Sequence, residues 1–180
     1  MEIKRVYAVY FSATGGTRRV TVLLANAIAQ AMKVPMETVD FTSLQSREER
    51  HVFCSSDLVV FGSPTYAGKL PNKLLPYIQS GFDGAGALCV PVVTFGNRSF
   101  DHSLAELCES LEHNGFHSIA AGAFVCQHAF SDVLAAGRPD AEDLRKVGEL
   151  GAVVVGKLGS MTAVPAPVEV PGDASAPYYR

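Results

Sequence analysis

The sequence has few charged side chains and little excess charge of either sign. Of its 180 residues, 18% are charged and 48% are hydrophobic, whereas charged residues make up about 25% of an average soluble domain. The 15 Lys and Arg residues and 18 Asp and Glu residues give a net charge of −3. This balance argues against a basic surface that binds nucleic acid. The apolar composition excludes a disordered chain and indicates secondary structure that is buried on both faces.

Long hydrophobic runs are also missing. The longest runs, residues 6–11 and 87–93, fall well below the roughly 18 apolar residues of a membrane span. The apolar stretch after Lys4 and Arg5 stops at Ser12, and no small-residue cleavage site follows it. We therefore expect no membrane span and a cytoplasmic location.

The four cysteines are not spaced like a metal site. They are Cys54, Cys89, Cys108 and Cys126. No CxxC pair and no His–Cys cluster occurs, so we assign no metal ligands. We expect the cysteines to be buried small apolar side chains in a reducing compartment.

Short apolar runs alternate with helical patterns along the chain. The runs 6–11, 58–61, 88–95 and 119–126 lack a clean period of two, which is typical of parallel strands covered on both faces. A more polar run at residues 35–41 predicts one more strand, which is second along the chain and lies at an edge of the sheet. We therefore predict an α/β domain with a five-stranded, doubly wound parallel sheet in the flavodoxin-like order 2-1-3-4-5.

Apolar residues at helical spacing predict four helices between and after these strands. They cover residues 20–31, a short segment near 74–78, residues 104–111 with Asp101 as the N-cap, and residues 144–154 behind Pro139 and Asp140. Residues 47–51 remain ambiguous. We predict one domain at residues 1–162, and residues 163–180, with four of the ten prolines, as a Pro-rich tail or linker.

The loop after the first strand is suited to binding a phosphate. Ligands of open α/β sheets bind beyond the carboxyl ends of the strands, and this loop reads Ser12, Ala13, Thr14, Gly15, Gly16, Thr17. Its backbone N–H groups, its hydroxyls and the following helix dipole would attract an anion. It lacks the Lys of a P-loop and the spacing of a dinucleotide loop, which disfavours ATP, GTP and NAD. The alternative is an ordinary turn that caps the helix.

Residues 10–17 resemble the flavodoxin fingerprint, whose T/S-x-T-G-x-T loop holds the terminal phosphate of FMN. The resemblance spans roughly residues 3–158. It implies FMN as the cofactor, held at its phosphate by Ser12, Ala13, Thr14, Gly15, Gly16 and Thr17.

Two later loops agree with the resemblance. The first resembles the flavodoxin-like loop along the isoalloxazine ring and supplies Pro64, Thr65, Tyr66, Ala67 and Gly68. The second resembles the loop that closes the other side of the ring and supplies Thr94, Phe95, Gly96, Asn97 and Arg98. Glycines admit close backbone approach to a flat ring, and Tyr66 or Phe95 could stack on it. Each of these aromatic residues could instead serve only in packing, and Asn97 and Arg98 could only anchor their loop.

A closer resemblance is to the flavodoxin domain of bacterial flavodoxin–ferredoxin fusion proteins, carried by residues 96–101, 122–124 and 127–128. It implies a redox partner protein such as a ferredoxin or a ferredoxin module. The cysteine spacing of a ferredoxin module does not follow Val164. His128, behind the fifth strand, is a candidate proton donor to the flavin, although a loop histidine usually has no such role.

Three functions are compatible with these residues. An FMN-binding electron carrier is favoured, in which the protein binds and orients the flavin. The alternative is an NAD(P)H-dependent quinone or flavin reductase, because Gly62-Ser63-Pro64-Thr65 also resembles a segment of flavodoxin-like quinone reductases. A docking module that has lost its flavin is the third. No Ser–His–Asp or Cys–His set converges on the site, so we assign no catalytic residue.

Overall fold

The computed structural model describes residues 2–178, in which strands and helices alternate as predicted. The strands are β1 (Arg5–Tyr10), β2 (Met36–Asp40), β3 (His51–Val52), β4 (Asp57–Pro64), β5 (Phe82–Asp83), β6 (Leu88–Phe95), β7 (His117–Ser118) and β8 (Gly122–Val125). The α-helices are α1 (Gly16–Met32), α2 (Leu75–Ser80), α3 (Ser103–His113) and α4 (Ala141–Ser160). A 3-10 helix spans Gln45–Arg47.

The main sheet is parallel throughout and has the predicted order. Its strands follow the sequence β2-β1-β4-β6, and both β7 and β8 pair with β6. β8 lies within the predicted run 119–126, whereas β7 precedes that run, and the register against β6 shifts by one residue between them. The order 2-1-3-4-5 is therefore confirmed, with a last strand that is interrupted.

Helices cover both faces of this sheet. In β4, Leu58 and Val60 pack into the core formed with α1 and α4, whereas Val59 and Phe61 pack into the core formed with α2 and α3. All four side chains are fully buried. Burial on both faces removes the period-two pattern and accounts for the apolar runs and the low charge content.

The ambiguous segment near residue 50 leads into a second, small sheet. β3 and β5 pair in parallel, with His51 opposite Phe82. The two rings stack with their centroids 5.4 Å apart, and burial lowers the pKa of His51. Two strands of two residues each carry too little periodicity to be recognised in a sequence.

Two local predictions were wrong. Cys54 is exposed, while the other three cysteines are buried. It lies in a turn before β4, where its backbone N–H donates to Asp57 Oδ2 over 2.9 Å. Asp101 does not cap α3: the N-cap position is His102, and Asp101 has φ 40° and forms an ion pair with Arg98.

The predicted tail runs back along the domain. Its Val168 N–H donates to the Ser118 carbonyl over 3.1 Å, and Val170 packs against the core beside α3. The last two residues of the predicted tail, Tyr179 and Arg180, lie outside the described residues. Within residues 2–178, no helix combines the length and apolar character needed to cross a bilayer.

Candidate functional site

A cleft of about 330 Å³ lies where the carboxyl ends of β1, β4, β6 and β8 meet. Eleven predicted site residues line it: Ala13, Thr14, Gly16, Thr17, Pro64, Thr65, Tyr66, Ala67, Thr94, Phe95 and Gly96. Within the described chain, five predicted residues lie outside this lining: Ser12, Gly15, Gly68, Asn97 and Arg98. Five further residues complete it: Cys126, Gln127, His128, Ala129 and Phe130. The structure thus brings together the three predicted loops and adds a fourth.

The first loop is closed by hydrogen bonds to the start of α1. Gly15 is the N-cap residue with φ 89°, a conformation that favours glycine. The Arg18 N–H donates to Ser12 Oγ over 2.9 Å, and the Arg19 N–H donates to the Gly15 carbonyl over 3.0 Å. The helix therefore begins at this loop, with its positive dipole end beside the cleft.

The three hydroxyls of the first loop have different environments. Thr17 is buried and its Oγ1 lies 2.7 Å from Thr94 Oγ1, which ties the first loop to the third. Ser12 Oγ accepts a backbone N–H, as described above. Thr14 is exposed and lines both the main cleft and an adjoining cavity of about 490 Å³ that also contains Gly15. Thr14 is thus the loop hydroxyl best placed to reach a ligand.

The second loop ends in a tight turn. Tyr66 and Lys69 exchange backbone hydrogen bonds of 2.9 and 3.2 Å, and the central residues Ala67 and Gly68 have φ 51° and 79°. Two positive φ values are the signature of a type I′ turn. Tyr66 and Ala67 line the cleft, while Gly68 is buried behind it.

Contacts behind the cleft connect the second loop, residues 64–68, to the third loop, residues 94–98, and to the start of α3. Thr65 Oγ1 is 2.6 Å from Ser103 Oγ, and the Thr65 N–H donates to the Thr94 carbonyl over 2.7 Å. A Cβ on Gly68 would lie 2.4 Å from Asp101 Oδ2. Arg98 Nη2 donates to the same oxygen over 2.6 Å. Arg98 and Gly68 therefore meet at Asp101, which lies outside the cleft lining.

The fourth loop follows β8 and contacts the others at two glycines. A Cβ on Gly16 would lie 3.1 Å from Cys126 Sγ, and one on Gly96 would lie 2.5 Å from His128 Cδ2. Burial raises the pKa of Cys126 to about 11, so its thiol stays protonated at neutral pH. The sequence signal for this loop is Gln127-His128 directly after the last predicted strand. From this signal only His128 is predicted to lie near the ligand, as a candidate proton donor.

An exposed aromatic ring borders the cleft in this loop. Phe130 lines the cleft with 90% of its surface exposed. Its N–H donates to His128 Nδ1 over 3.2 Å, so a neutral His128 carries its proton on Nε2. The loop returns to the domain through Arg138, which forms a bidentate ion pair with Asp143 at the start of α4. The pKa of Asp143 is lowered mainly by this pairing.

Comparison with known proteins finds the architecture of the chain but no sequence match. No family model and no curated protein matches it. A flavodoxin from the domain Archaea is 16% identical, with a TM-score of 0.57 over 86% of this chain and 99% of the other. A flavodoxin from Streptococcus pneumonia TIGR4 is 13% identical, with a TM-score of 0.59 over 85% of this chain and 99% of the other. The apo form of an NADH:FMN oxidoreductase is 12% identical, with a TM-score of 0.63 over 91% of this chain and 95% of the other.

Because these sequence identities are low, the similarity to these proteins shows a shared fold and nothing beyond it. The strand order, the helices on both faces and the cleft at the carboxyl ends of the strands agree with it. The chain therefore has a flavodoxin-like fold.

Proposed function

We propose that the chain is an FMN-binding, flavodoxin-like electron-transfer protein. The observation that carries this proposal is one cleft that joins the N-terminus of α1 to aromatic side chains from other loops. A phosphate is stabilised by free backbone N–H groups at a helix N-terminus. A flavin ring is stabilised by apolar and aromatic surface. FMN combines the two groups in one molecule.

The phosphate of FMN would lie at the first loop. Backbone N–H groups of residues 14–17 and Thr14 Oγ1 are the proposed donors, because Thr14 is exposed and lines the cleft, whereas Ser12 lies outside the lining and Thr17 Oγ1 lies 2.7 Å from Thr94 Oγ1. The exposed Arg18 and Arg19 follow in the first turn of α1 and would add positive potential. In this proposal Ser12, Gly15 and Thr17 shape the phosphate loop.

The ring would lie between the other three loops. Residues 64–67 and 94–96 would flank it, with Tyr66 and Phe95 as candidates for stacking. Burial raises the pKa of Tyr66, which keeps its phenol neutral. Gly68, Asn97 and Arg98 would act behind the ring by fixing the loops. When bound, FMN supplies the electron-accepting ring, and the protein binds it, orients it and limits its contact with water.

Titration of the apoprotein with FMN and FAD tests this proposal. We expect one FMN per chain and weaker binding of FAD, because the sequence has no second, pyrophosphate-binding glycine motif. A matched pair of glycine variants locates the site. Gly16→Ala would place a Cβ 3.1 Å from Cys126 and should weaken FMN binding, whereas Gly148→Ala faces open space and should not. Failure of the wild-type protein to bind any flavin would contradict the proposal.

A second candidate is an NAD(P)H-dependent quinone or flavin reductase. It is favoured by the NADH:FMN oxidoreductase among the similar structures and by the Gly62-Ser63-Pro64-Thr65 segment at the end of β4. Oxidation of NADH or NADPH by the FMN-loaded protein with a quinone acceptor separates the two functions. Turnover well above that of free FMN would favour the reductase.

The proposed partner of the electron carrier is another redox protein. The resemblance of residues 96–101, 122–124 and 127–128 to flavodoxin domains of ferredoxin fusions makes a ferredoxin or ferredoxin module our first choice, in the cytoplasm. Reduction of the FMN-loaded protein by a reduced ferredoxin, measured by stopped-flow absorbance, tests this choice.

A further inference from the structure

The C-terminal residues 173–178 contact the chain directly behind the cleft-lining turn. Ala67 of this turn lines the cleft, and the next residues, Gly68, Lys69 and Leu70, are buried. Tyr178, more than one hundred positions later, donates its hydroxyl hydrogen to the Leu70 carbonyl over 2.7 Å. Tyr178 is therefore in direct contact with the loop that would flank the flavin ring.

Lys69 carries a buried charge that the C-terminal segment helps to satisfy. Its side chain is 3% exposed, and its Nζ lies 3.0 Å from Glu106 Oε1 in α3. The same Nζ donates to the Ala174 carbonyl over 2.7 Å and lies 5.7 Å from the centroid of the Tyr178 ring. A buried ammonium group needs several such partners to offset its desolvation. Two of the three come from residues 173–178.

Three hydrogen bonds hold the backbone of the turn. Their partners are His102 directly before α3, Glu106 in α3 and Tyr178 in the C-terminal segment. The His102 N–H donates to the Gly68 carbonyl over 2.8 Å, and the Leu70 N–H donates to Glu106 Oε2 over 2.7 Å. The third bond is that of Tyr178 to the Leu70 carbonyl. His102 in turn accepts the Asp173 N–H at Nδ1 over 3.0 Å. Every one of these attachments thus leads to α3 or to the C-terminal segment.

The Tyr178 hydroxyl remains a hydrogen-bond donor over the physiological pH range. Burial, with a smaller contribution from Glu106, raises its pKa to about 12. The hydroxyl that bonds Leu70 is therefore protonated near neutral pH.

We propose that residues 173–178 form a strap that positions the turn at residues 66–70 for the flavin ring, with Lys69 and Tyr178 as positioning residues. The proposal rests on the proposed FMN site. It makes the C-terminal segment a working part of that site. Because the strap contacts the ring-flanking loop and the phosphate loop lies elsewhere, its loss should weaken FMN and riboflavin equally.

The test uses two tyrosine variants of the full chain. Tyr178→Phe deletes the hydroxyl that bonds Leu70, while Tyr7→Phe deletes the hydroxyl that accepts from Arg5 at the surface. Amide hydrogen exchange of the apoprotein is measured first, and dissociation constants for FMN and riboflavin second. For Tyr178→Phe we expect faster exchange confined to residues 66–70 and about fivefold weaker binding of both ligands, the loss of one net hydrogen bond. Tyr7→Phe should leave both readings unchanged.

Each result identifies which claim has failed. Unchanged exchange at residues 66–70 in Tyr178→Phe would overturn the strap whether or not flavin binds. Faster exchange with unchanged flavin affinity would overturn its role in the site. Loss of FMN affinity alone would place Tyr178 with the phosphate and contradict the proposed contact. If the wild-type protein binds neither ligand, the proposed function fails, and the strap's role for the flavin fails with it.

Discussion

The two loops proposed to hold the ends of FMN are stabilised in different ways. The first loop, residues 12–17, is closed by bonds to Arg18 and Arg19, within six positions along the chain, and has in addition the distant contact of Thr17 with Thr94. The turn at residues 66–70 relies on Glu106 and Tyr178, 36 and 108 positions away from Leu70. Local sequence can encode the closure of the first loop onto α1, whereas the bonds of Leu70 to Glu106 and Tyr178 exist only after the domain has folded. We therefore expect variants of the turn to affect stability and variants of the first loop to affect ligand binding.

The largest effect should come from Lys69→Met. It leaves Glu106 buried without its cation, which typically costs about 3–5 kcal/mol of unfolding free energy. Urea denaturation measures this loss. The control is Lys146→Met, whose ammonium group pairs with Glu142 at the exposed surface, and we expect a change below about 0.5 kcal/mol. Equal small effects of both variants would show that the turn does not depend on the buried pair of Lys69 and Glu106, and the contrast with the first loop would fail.

Thr14→Val should act on binding alone. The hydroxyl is exposed in the protein and is proposed to bond the phosphate, so FMN should lose about 1.5–3 kcal/mol of binding free energy while riboflavin loses none. Fluorescence titration with both ligands measures the difference. Thr38→Val, on the edge strand β2, is the control and should leave both affinities unchanged. A parallel loss for FMN and riboflavin in Thr14→Val would indicate a distorted loop instead.

Asp143→Asn tests the fourth loop, which combines local and distant contacts. Asp143 and Asp140 form a capping box at the start of α4, and Arg138 adds its ion pair. We expect a loss of about 1–2 kcal/mol of unfolding free energy at pH 7. Because the pKa of Asp143 is lowered in the folded protein, this contribution is present above the unfolded value near 3.9 and is lost as the pH falls through the folded value.

Denaturation at pH 7 and at pH 3 checks whether the stabilisation by Asp143 decreases as the pH falls. The difference between wild type and Asp143→Asn should shrink at the lower pH. Glu142→Gln is the control: the pKa of Glu142 is also lowered, by Arg145, but the pair is exposed and should contribute little. A difference that grows toward acid pH would show that the carboxylate of Asp143 is not the stabilising form.

Phe130→Ala should have the smallest overall effect of the four variants. Its ring is 90% exposed, so the unfolding free energy should change by less than about 0.5 kcal/mol. If the ring covers bound flavin, FMN and riboflavin should each lose about 0.5–1.5 kcal/mol of binding free energy. Val133→Ala, which is exposed on the same loop outside the cleft lining, serves as the control. Unchanged affinities for Phe130→Ala would leave the fourth loop without a role at the ring.

The same contrast explains what the sequence could and could not predict. The apolar runs and the glycine-rich loop are local patterns, so strand order and three of the cleft-lining loops were predicted. The interruption of the last strand was not, because residues 119–121 begin the predicted apolar run but lie between the paired segments β7 and β8, where the register shifts. The hydrogen bond of Tyr178 to Leu70 and the burial of Lys69 depend on distant contacts. No local spacing encodes them.

Asp101 is a single residue for which local sequence predicts the wrong role. An Asp three residues before an apolar helical pattern is a frequent N-cap. Here Gly68 approaches it so closely that a Cβ would lie 2.4 Å from its carboxylate, and Arg98 pairs with the same group. The close approach of Gly68 and the local ion pair with Arg98 thus replace the capping role that the position of Asp101 predicts.

The most direct test of the central claim is the ratio of the dissociation constants of the wild-type protein for riboflavin and FMN. The two ligands share the ring and differ in the phosphate, so the ratio isolates the first loop. Several charge-assisted hydrogen bonds at a helix N-terminus should make FMN bind at least about 100-fold more tightly. Equal affinities for the two ligands would contradict the phosphate site at residues 12–17.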